Sequence, residues 1–155
     1  MRERGYFGIG VYRPKFEVNL GTLWRHAHLY GAAFMFTVDA DRTRQQPSDT
    51  TKNFRHAPLF NWNKADLWLP FNCSLVAVEL SDTAVSLPEF RHPDRAVYLL
   101  GAEDDGLPQD ILRAADFIIQ IPALEAQSMN VATAGTIVMY DRHTKRSCLV
   151  EARDG

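Results

Sequence analysis

Three short stretches of the sequence concentrate the residue types from which a ligand site can be built. They are Asn19-Leu-Gly-Thr-Leu-Trp-Arg25; Leu99-Leu-Gly-Ala-Glu-Asp-Asp-Gly-Leu-Pro108, with Ile121-Pro122 beyond it; and Ser128-Met-Asn-Val-Ala-Thr-Ala-Gly135, continuing to Tyr140-Asp141. In the second stretch Gly101 and Gly106 free the backbone to adopt positive φ and to approach a ligand closely. The spacing there is GxExxG. It falls two thirds of the way along the chain and lacks a third glycine, so it is not the dinucleotide fingerprint that follows a first strand. Taken singly, each stretch also has a plain structural role. Gly101–Gly106 reads as an acidic surface turn, Asn19, Ser128 and Asn130 as helix-start residues, and Arg25 as a solvated side chain. Ala132, Ala134 and Gly135 would let a helix pack tightly on a neighbour.

These stretches need a scaffold, and the apolar patterning supplies one. Phe7–Tyr12, Ala33–Val38, Pro58–Trp62, Ser74–Leu80, Ala96–Leu100 and Phe117–Ile121 read as strands. Leu20–Tyr30 reads as a helix, with Asn19 as N-cap and Gly31 as its stop. Further helical segments are expected at Asp49–Arg55, from Asn63 through Trp68, at Pro108–Ala114 and at Ser128–His143. A polar loop covers Asp39–Ser48. The runs at Ser74–Leu80 and Ala96–Leu100 are continuously apolar, which suits a sheet covered on both faces. Strands alternating with helices predict an α/β fold with a mostly parallel sheet. A ligand is then expected outside the carboxyl ends of the strands, where the turn after Leu100 lies.

Composition narrows the class. A chain of 155 residues fits one domain and can bury a core without disulfides or a structural metal. Cys73 and Cys148 form no CxxC pair and no Cys/His cluster, so no metal site is expected, and two lone cysteines suit a reducing cytoplasm. The formal net charge of −2 means that any nucleic-acid contact must come from local patches. Two basic clusters qualify: Arg42, Arg44, Lys52, Arg55 and His56, and Arg142, His143, Lys145 and Arg146 at the end of the last helix. No signal peptide or membrane-spanning run is visible.

Read in order, NxGxxxR, GxExxG-Leu-Pro, Ile-Pro and Ser-Met-Asn resemble the three motifs of the SpoU–TrmH family of the SPOUT methyltransferase superfamily, from about Phe7 to Arg146. The resemblance implies helices on both faces of the parallel sheet and a C-terminal trefoil knot. It also implies that residues 1–155 are a single catalytic domain without a separate RNA-binding domain. The implied activity is methylation of a ribose 2′-hydroxyl of transfer or ribosomal RNA with S-adenosylmethionine, by a cytoplasmic homodimer with its site at the subunit interface. By the same resemblance the catalytic group is Arg25, Asn19, Glu103 and Asn130. The cofactor would contact Val78, Glu79, Leu100, Gly101, Glu103, Gly106, Ile121, Ser128 and Met129. RNA would contact Arg42, Arg44, Lys52, Arg55 and Tyr140, and Phe54 and Trp62 are candidates for base stacking, although the core is the commoner place for such rings. Leu23, Trp24 and Leu29 would suit the dimer contact. One departure is that Glu17-Val18 precede Asn19, where related chains often carry proline.

The family account makes the arginine a general base. A guanidinium with a pKa above about 12 resists that role. Arg25 is instead expected to pair with an RNA phosphate and to stabilise the developing alkoxide, while the proton leaves through water or a phosphate oxygen. A knotted RNA-binding or assembly factor without catalysis is the main alternative, against which the retained Arg25, Glu103 and Asn130 speak. A nicotinamide or flavin enzyme is disfavoured by the absent early glycine fingerprint.

Overall fold

The computed structural model describes residues 5–15, 17–41, 57–64, 69–101 and 105–154. Its strands are β1 (Tyr6–Tyr12), β2 (Phe34–Val38), β3 (Leu59–Trp62), β4 (Ser74–Val78), β5 (Val85–Ser86), β6 (Arg95–Leu100) and β7 (Phe117–Gln120). Its helices are α1 (Glu17–Leu29), α2 (Gln109–Ala114) and α3 (Val131–Asp154). The strands form one sheet in the order β3-β2-β1-β6-β4-β7-β5, and each adjacent pair is parallel. The parallel α/β architecture expected from the apolar runs is the one found. The segments expected to be helical at Asp49–Arg55 and between Ala65 and Trp68 lie outside the described residues, as do Arg42, Arg44, Lys52, Phe54, Arg55, His56 and Glu103.

Alternation along the strands divides the core into two layers. Ile9, Val11, Val76, Val78, Tyr98, Leu100 and Ile119 face α1 and α3, whereas Tyr12, Phe36, Val38, Leu75, Ala77, Val97 and Leu99 share a cluster with Ile111 of α2. This is the two-sided burial that continuous apolar runs require. The glycines of β1 belong to the second layer. A Cβ on Gly8 would collide with the ring of Phe34, and one on Gly10 would meet the Phe36 ring at 2.5 Å.

α1 ends as its sequence predicts. Gly31 has φ +74°, its N–H donates to the His28 carbonyl at 3.2 Å, and the Ala32 N–H donates to the Ala27 carbonyl at 2.9 Å. Those paired bonds satisfy the last carbonyls of the helix and need a left-handed residue at position 31. The helix begins earlier than expected, however, at Glu17. Asn19 therefore lies inside the first turn and is not the N-cap. α3 also differs from its expected span. It starts at Val131 rather than Ser128 and runs to Asp154 rather than His143. Asn130 is its cap, accepting the Ala132 and Thr133 N–H groups at 2.9 and 3.1 Å. Pro108 precedes α2 in extended geometry (φ −66°, ψ 152°) instead of occupying its first turn.

The second basic cluster is largely structural. Arg142 is only 4% exposed. It donates to the carbonyls of Pro93 and Asp94 at 2.7 and 2.9 Å and to the Tyr98 hydroxyl at 3.1 Å. Lys145 donates to the Leu87 and Phe90 carbonyls, and Arg146 pairs with Asp94 at 2.8 Å. Only His143 of the four is exposed. These cations bind the segment before β6 to the middle of α3, which continues to Asp154, so they do not mark the end of that helix.

Proton directions in this cluster follow from its donors. Arg142 can only donate to Tyr98, so Tyr98 donates to His92 Nδ1 at 2.6 Å, and His92 Nε2–H donates to the Asp141 carboxylate at 2.8 Å. Burial lowers the His92 pKa to about 4, against the pull of Asp141, and raises that of Tyr98 to about 12. The native state thus holds His92 neutral, while the unfolded chain protonates it near pH 6.5. The resulting stability is fully present above that value and is lost as pH falls toward 4. The expected loss is about 3 kcal/mol. Urea midpoints at pH 7 and 4.5 for the wild type and His92→Gln check this: the variant should lose distinctly less, and equal losses would contradict it.

Candidate active site

Where β4, β6 and β7 end, the chain leaves the sheet and encloses a cleft of about 270 Å³. Its wall is formed by Val78 and Glu79 after β4, by Leu100, Gly101 and Gly106 around the turn after β6, by Ile121 after β7, and by Ser128 and Met129 before α3. These are eight of the nine residues predicted to contact a cofactor, and the ninth, Glu103, is outside the described residues. Residues more than forty positions apart meet here because parallel strands end on the same side. Leu80, Asp105, Gln120, Gln127, Val131 and Ala134 also line the cleft and were not predicted to contact a cofactor. Each lies within or next to a motif stretch or a strand end, so the available signal was adjacency alone.

Glu79 organises the glycine turn. Its Oε2 accepts the Leu107 N–H at 2.7 Å and its Oε1 accepts the Leu80 N–H at 3.0 Å. Gly106 has φ +65°, and a Cβ there would collide with the Glu79 carboxylate. A Cβ on Gly101 would meet the Gly106 backbone at 2.9 Å. The space these glycines leave is therefore occupied by the turn itself and by its tether.

A second tie joins the first and third motifs. Asn130 Nδ2 donates to Asn19 Oδ1 at 2.9 Å, which sets the start of α1 beside the start of α3. The contacts then advance together along both helices. Gly135 lies against Leu23, where a Cβ would meet Leu23 Cδ1 at 2.5 Å; Thr136 Oγ1 lies 2.6 Å from His26 Nδ1; and the Tyr140 ring stands edge-on to Tyr30. α1 and α3 are thus parallel neighbours, as the small residues of the third motif allow. Leu23 and Trp24 are 0% and 6% exposed, and the Trp24 indole donates to the Ala57 carbonyl. Both are core residues and do not serve the expected dimer contact. Leu29 is exposed, as are Val18 and Tyr140.

Arg25 is exposed, and no hydrogen bond or ion pair joins it to another described residue. It does not line the cleft. Six residues separate it from Asn19, about 9 Å along a helix. Trp62 is half-buried, stacked on Phe60 and tilted against Phe36 in an aromatic cluster. Among the described residues no group of His, Cys, Asp and Glu could hold a metal ion, and no helix is long and apolar enough to cross a membrane.

The model of the SpoU rRNA Methylase family matches residues 7–140. The Mus musculus tRNA (guanosine(18)-2′-O)-methyltransferase is 25% identical over 150 residues, which cover 84% of this chain and 9% of that protein. The corresponding Escherichia coli enzyme is 34% identical over 73 residues, 46% of this chain and 32% of its own length. The chain therefore spans less than two thirds of these relatives. The tRNA (cytidine(34)-2′-O)-methyltransferase of Ancylobacter novellus matches more evenly, at 28% identity over 84% of this chain and 87% of that one. Among solved structures, an AdoMet-bound rRNA methyltransferase from Sinorhizobium meliloti superposes with a TM-score of 0.80 at 25% identity, covering 92% of this chain and 57% of that one.

Proposed function

The chain belongs to the SpoU rRNA methylase family, and from that premise we propose that it transfers a methyl group from S-adenosylmethionine to a ribose 2′-hydroxyl of transfer or ribosomal RNA. The observation that carries the reading is the convergence of the second and third motifs on one cleft at the carboxyl ends of parallel strands, with the first motif tied to it through Asn19 and Asn130. The cleft suits an adenosine. Apolar Leu100, Met129 and Val131 can cover a flat base, and Gln120, Gln127 and Ser128 offer hydrogen bonds at the rim. When bound, S-adenosylmethionine supplies an electrophilic methyl carried on a sulfonium. The residues of the chain orient the acceptor oxygen behind that methyl, and such orientation is worth ~7–11 kcal/mol in favourable cases. Arg25 supplies positive charge to the phosphate and to the oxygen as it loses its proton.

The same reading makes residues 1–155 a catalytic domain, closes it with a trefoil knot, and puts it in the cytoplasm as a homodimer. Support for the dimer is that Arg25 lies away from the cleft lining of its own chain, while Val18, Leu29 and Tyr140 leave an apolar strip exposed on α1 and α3. Arg42, Arg44, Lys52 and Arg55 are the proposed RNA contacts, with Tyr140 beside them in role. Transfer RNA is favoured by the evenly matched relative that methylates position 34. The test is transfer of labelled methyl to bulk RNA, followed by mapping of 2′-O-methylated positions in cells with and without the protein. No labelled 2′-O-methyl nucleotide in either would refute the reading.

Glu79 gives a separate prediction. Glu79→Ala removes the acceptor for a part-buried N–H, an omission worth about 1–3 kcal/mol. S-adenosylmethionine affinity, measured by calorimetry, should fall ~2- to 10-fold if half that loss reaches the cofactor turn. Glu79→Gln keeps an acceptor and should fall less.

A further inference from the structure

Resting on that reading, we propose that Asp105 is a specificity-determining residue, through which the cleft favours S-adenosylmethionine over the S-adenosylhomocysteine that methyl transfer leaves behind. The two ligands share the adenosine and the amino-acid tail. They differ by one methyl group and by the positive charge on sulfur, which disappears as the methyl leaves. An apolar wall can read the methyl, but only a charged wall can read the charge. Among the described residues that line the cleft, Glu79 and Asp105 are the ones with charged side chains; both are carboxylates, and no Lys, Arg or His joins them. α3 starts at the wall with Val131 and brings the positive end of its dipole there. That end amounts to about half a charge and does not cancel two.

The two carboxylates are not equivalent. Glu79 accepts the Leu107 and Leu80 N–H groups, so part of its field is directed into the turn. Asp105 is exposed, and no hydrogen bond or ion pair joins it to another described residue. Its backbone place is set by the next residue, Gly106, which has φ +65° and packs against the Glu79 carboxylate. A cleft of about 270 Å³ is on the order of 8 Å across, so a sulfonium seated in it lies about a Debye length or less from Asp105. At ~7 Å and the dielectric of water, one such charge changes affinity ~3-fold, and at half that dielectric ~8-fold. A neutral sulfur gains none of this. The same field does not speed the transfer, because the charge on sulfur is fading in the transition state and the attraction is stronger before the reaction than during it. Its effect is on turnover: the demethylated ligand loses an attraction that the incoming one has.

Calorimetric titration of the full chain with S-adenosylmethionine and with S-adenosylhomocysteine tests this without catalysis. Asp105→Asn keeps the size of the side chain and removes its charge. It should weaken S-adenosylmethionine ~3- to 8-fold and leave S-adenosylhomocysteine within about twofold, so that the ratio of the two affinities falls. An unreactive analogue with an ammonium group in place of the methylsulfonium should follow S-adenosylmethionine. Asp105→Glu should stay nearer to wild type, and added salt should lower the wild-type ratio more than that of the Asn variant. An unchanged ratio overturns the proposal, whether both ligands weaken equally through a lost turn shape or neither weakens. A wild type that binds neither ligand overturns it as well. The functional reading fails separately, if the wild type methylates no RNA while its preference for the charged ligand still depends on Asp105.

Discussion

Arg25→Ala should lower kcat for methyl transfer ~100- to 1000-fold, the usual cost of losing one donor aimed at developing negative charge. The fold should not change with it. Arg25 is exposed and bonds no other described residue, so its removal should shift stability by no more than about 0.5 kcal/mol. Affinity for S-adenosylmethionine should also hold, because Arg25 does not line the cleft. A large kinetic effect with neither a thermal nor a cofactor effect would set Arg25 apart from the residues that build the site. Arg25→Lys sharpens the argument. Lysine keeps the charge and gives up its proton more readily, but it loses the planar fork that grips a phosphate with two bonds. If the fork positions the nucleotide, Arg25→Lys should remain at least tenfold slower than wild type in single-turnover assays. Full activity in that variant would mean that charge alone suffices.

Arg25 also shows where sequence reading stops. The periodicity of apolar runs was enough for the parallel sheet, because strands buried on both faces are visible as runs. That Gly101, Ile121 and Ser128 would share one place came from the resemblance of the motifs, and they line one cleft. Helix ends were less legible. Asn19 has the residue type of a cap, yet its side chain accepts from Asn130, a partner 111 positions away that no local pattern reveals. Glu79 likewise looked like a ligand residue at a strand end. Its carboxylate also accepts the Leu107 N–H, a bond that exists only once β4 and the glycine turn are side by side. Charge was the most misleading signal. A run of cations near an expected helix end fits the helix dipole, a solvated patch or a set of buried ties equally well, and the continuation of α3 to Asp154 together with the burial of Arg142 separates them.

That separation can be measured. Arg142→Ala would strand the Pro93 and Asp94 carbonyls and deprive the Tyr98 hydroxyl of a donor, in a site that is almost closed to water. Each unsatisfied buried group costs about 1–3 kcal/mol, so the expected loss is ~3–5 kcal/mol. For a chain of this length that corresponds to a Tm lower by about 10 °C or more. The guanidinium also lies over the Phe7 ring at 5.2 Å, and alanine would remove that packing as well. Arg142→Lys should recover part of the loss, since one ammonium cannot reach two carbonyls and a phenol in the fork geometry of arginine. A residue that held RNA from the surface would behave in the opposite way. Its removal would weaken RNA binding and flatten its salt dependence, with Tm nearly unchanged. Thermal denaturation and RNA titration of the same variant therefore decide between the two roles. A lowered Tm with wild-type RNA affinity in the surviving folded protein is the result the buried ties require.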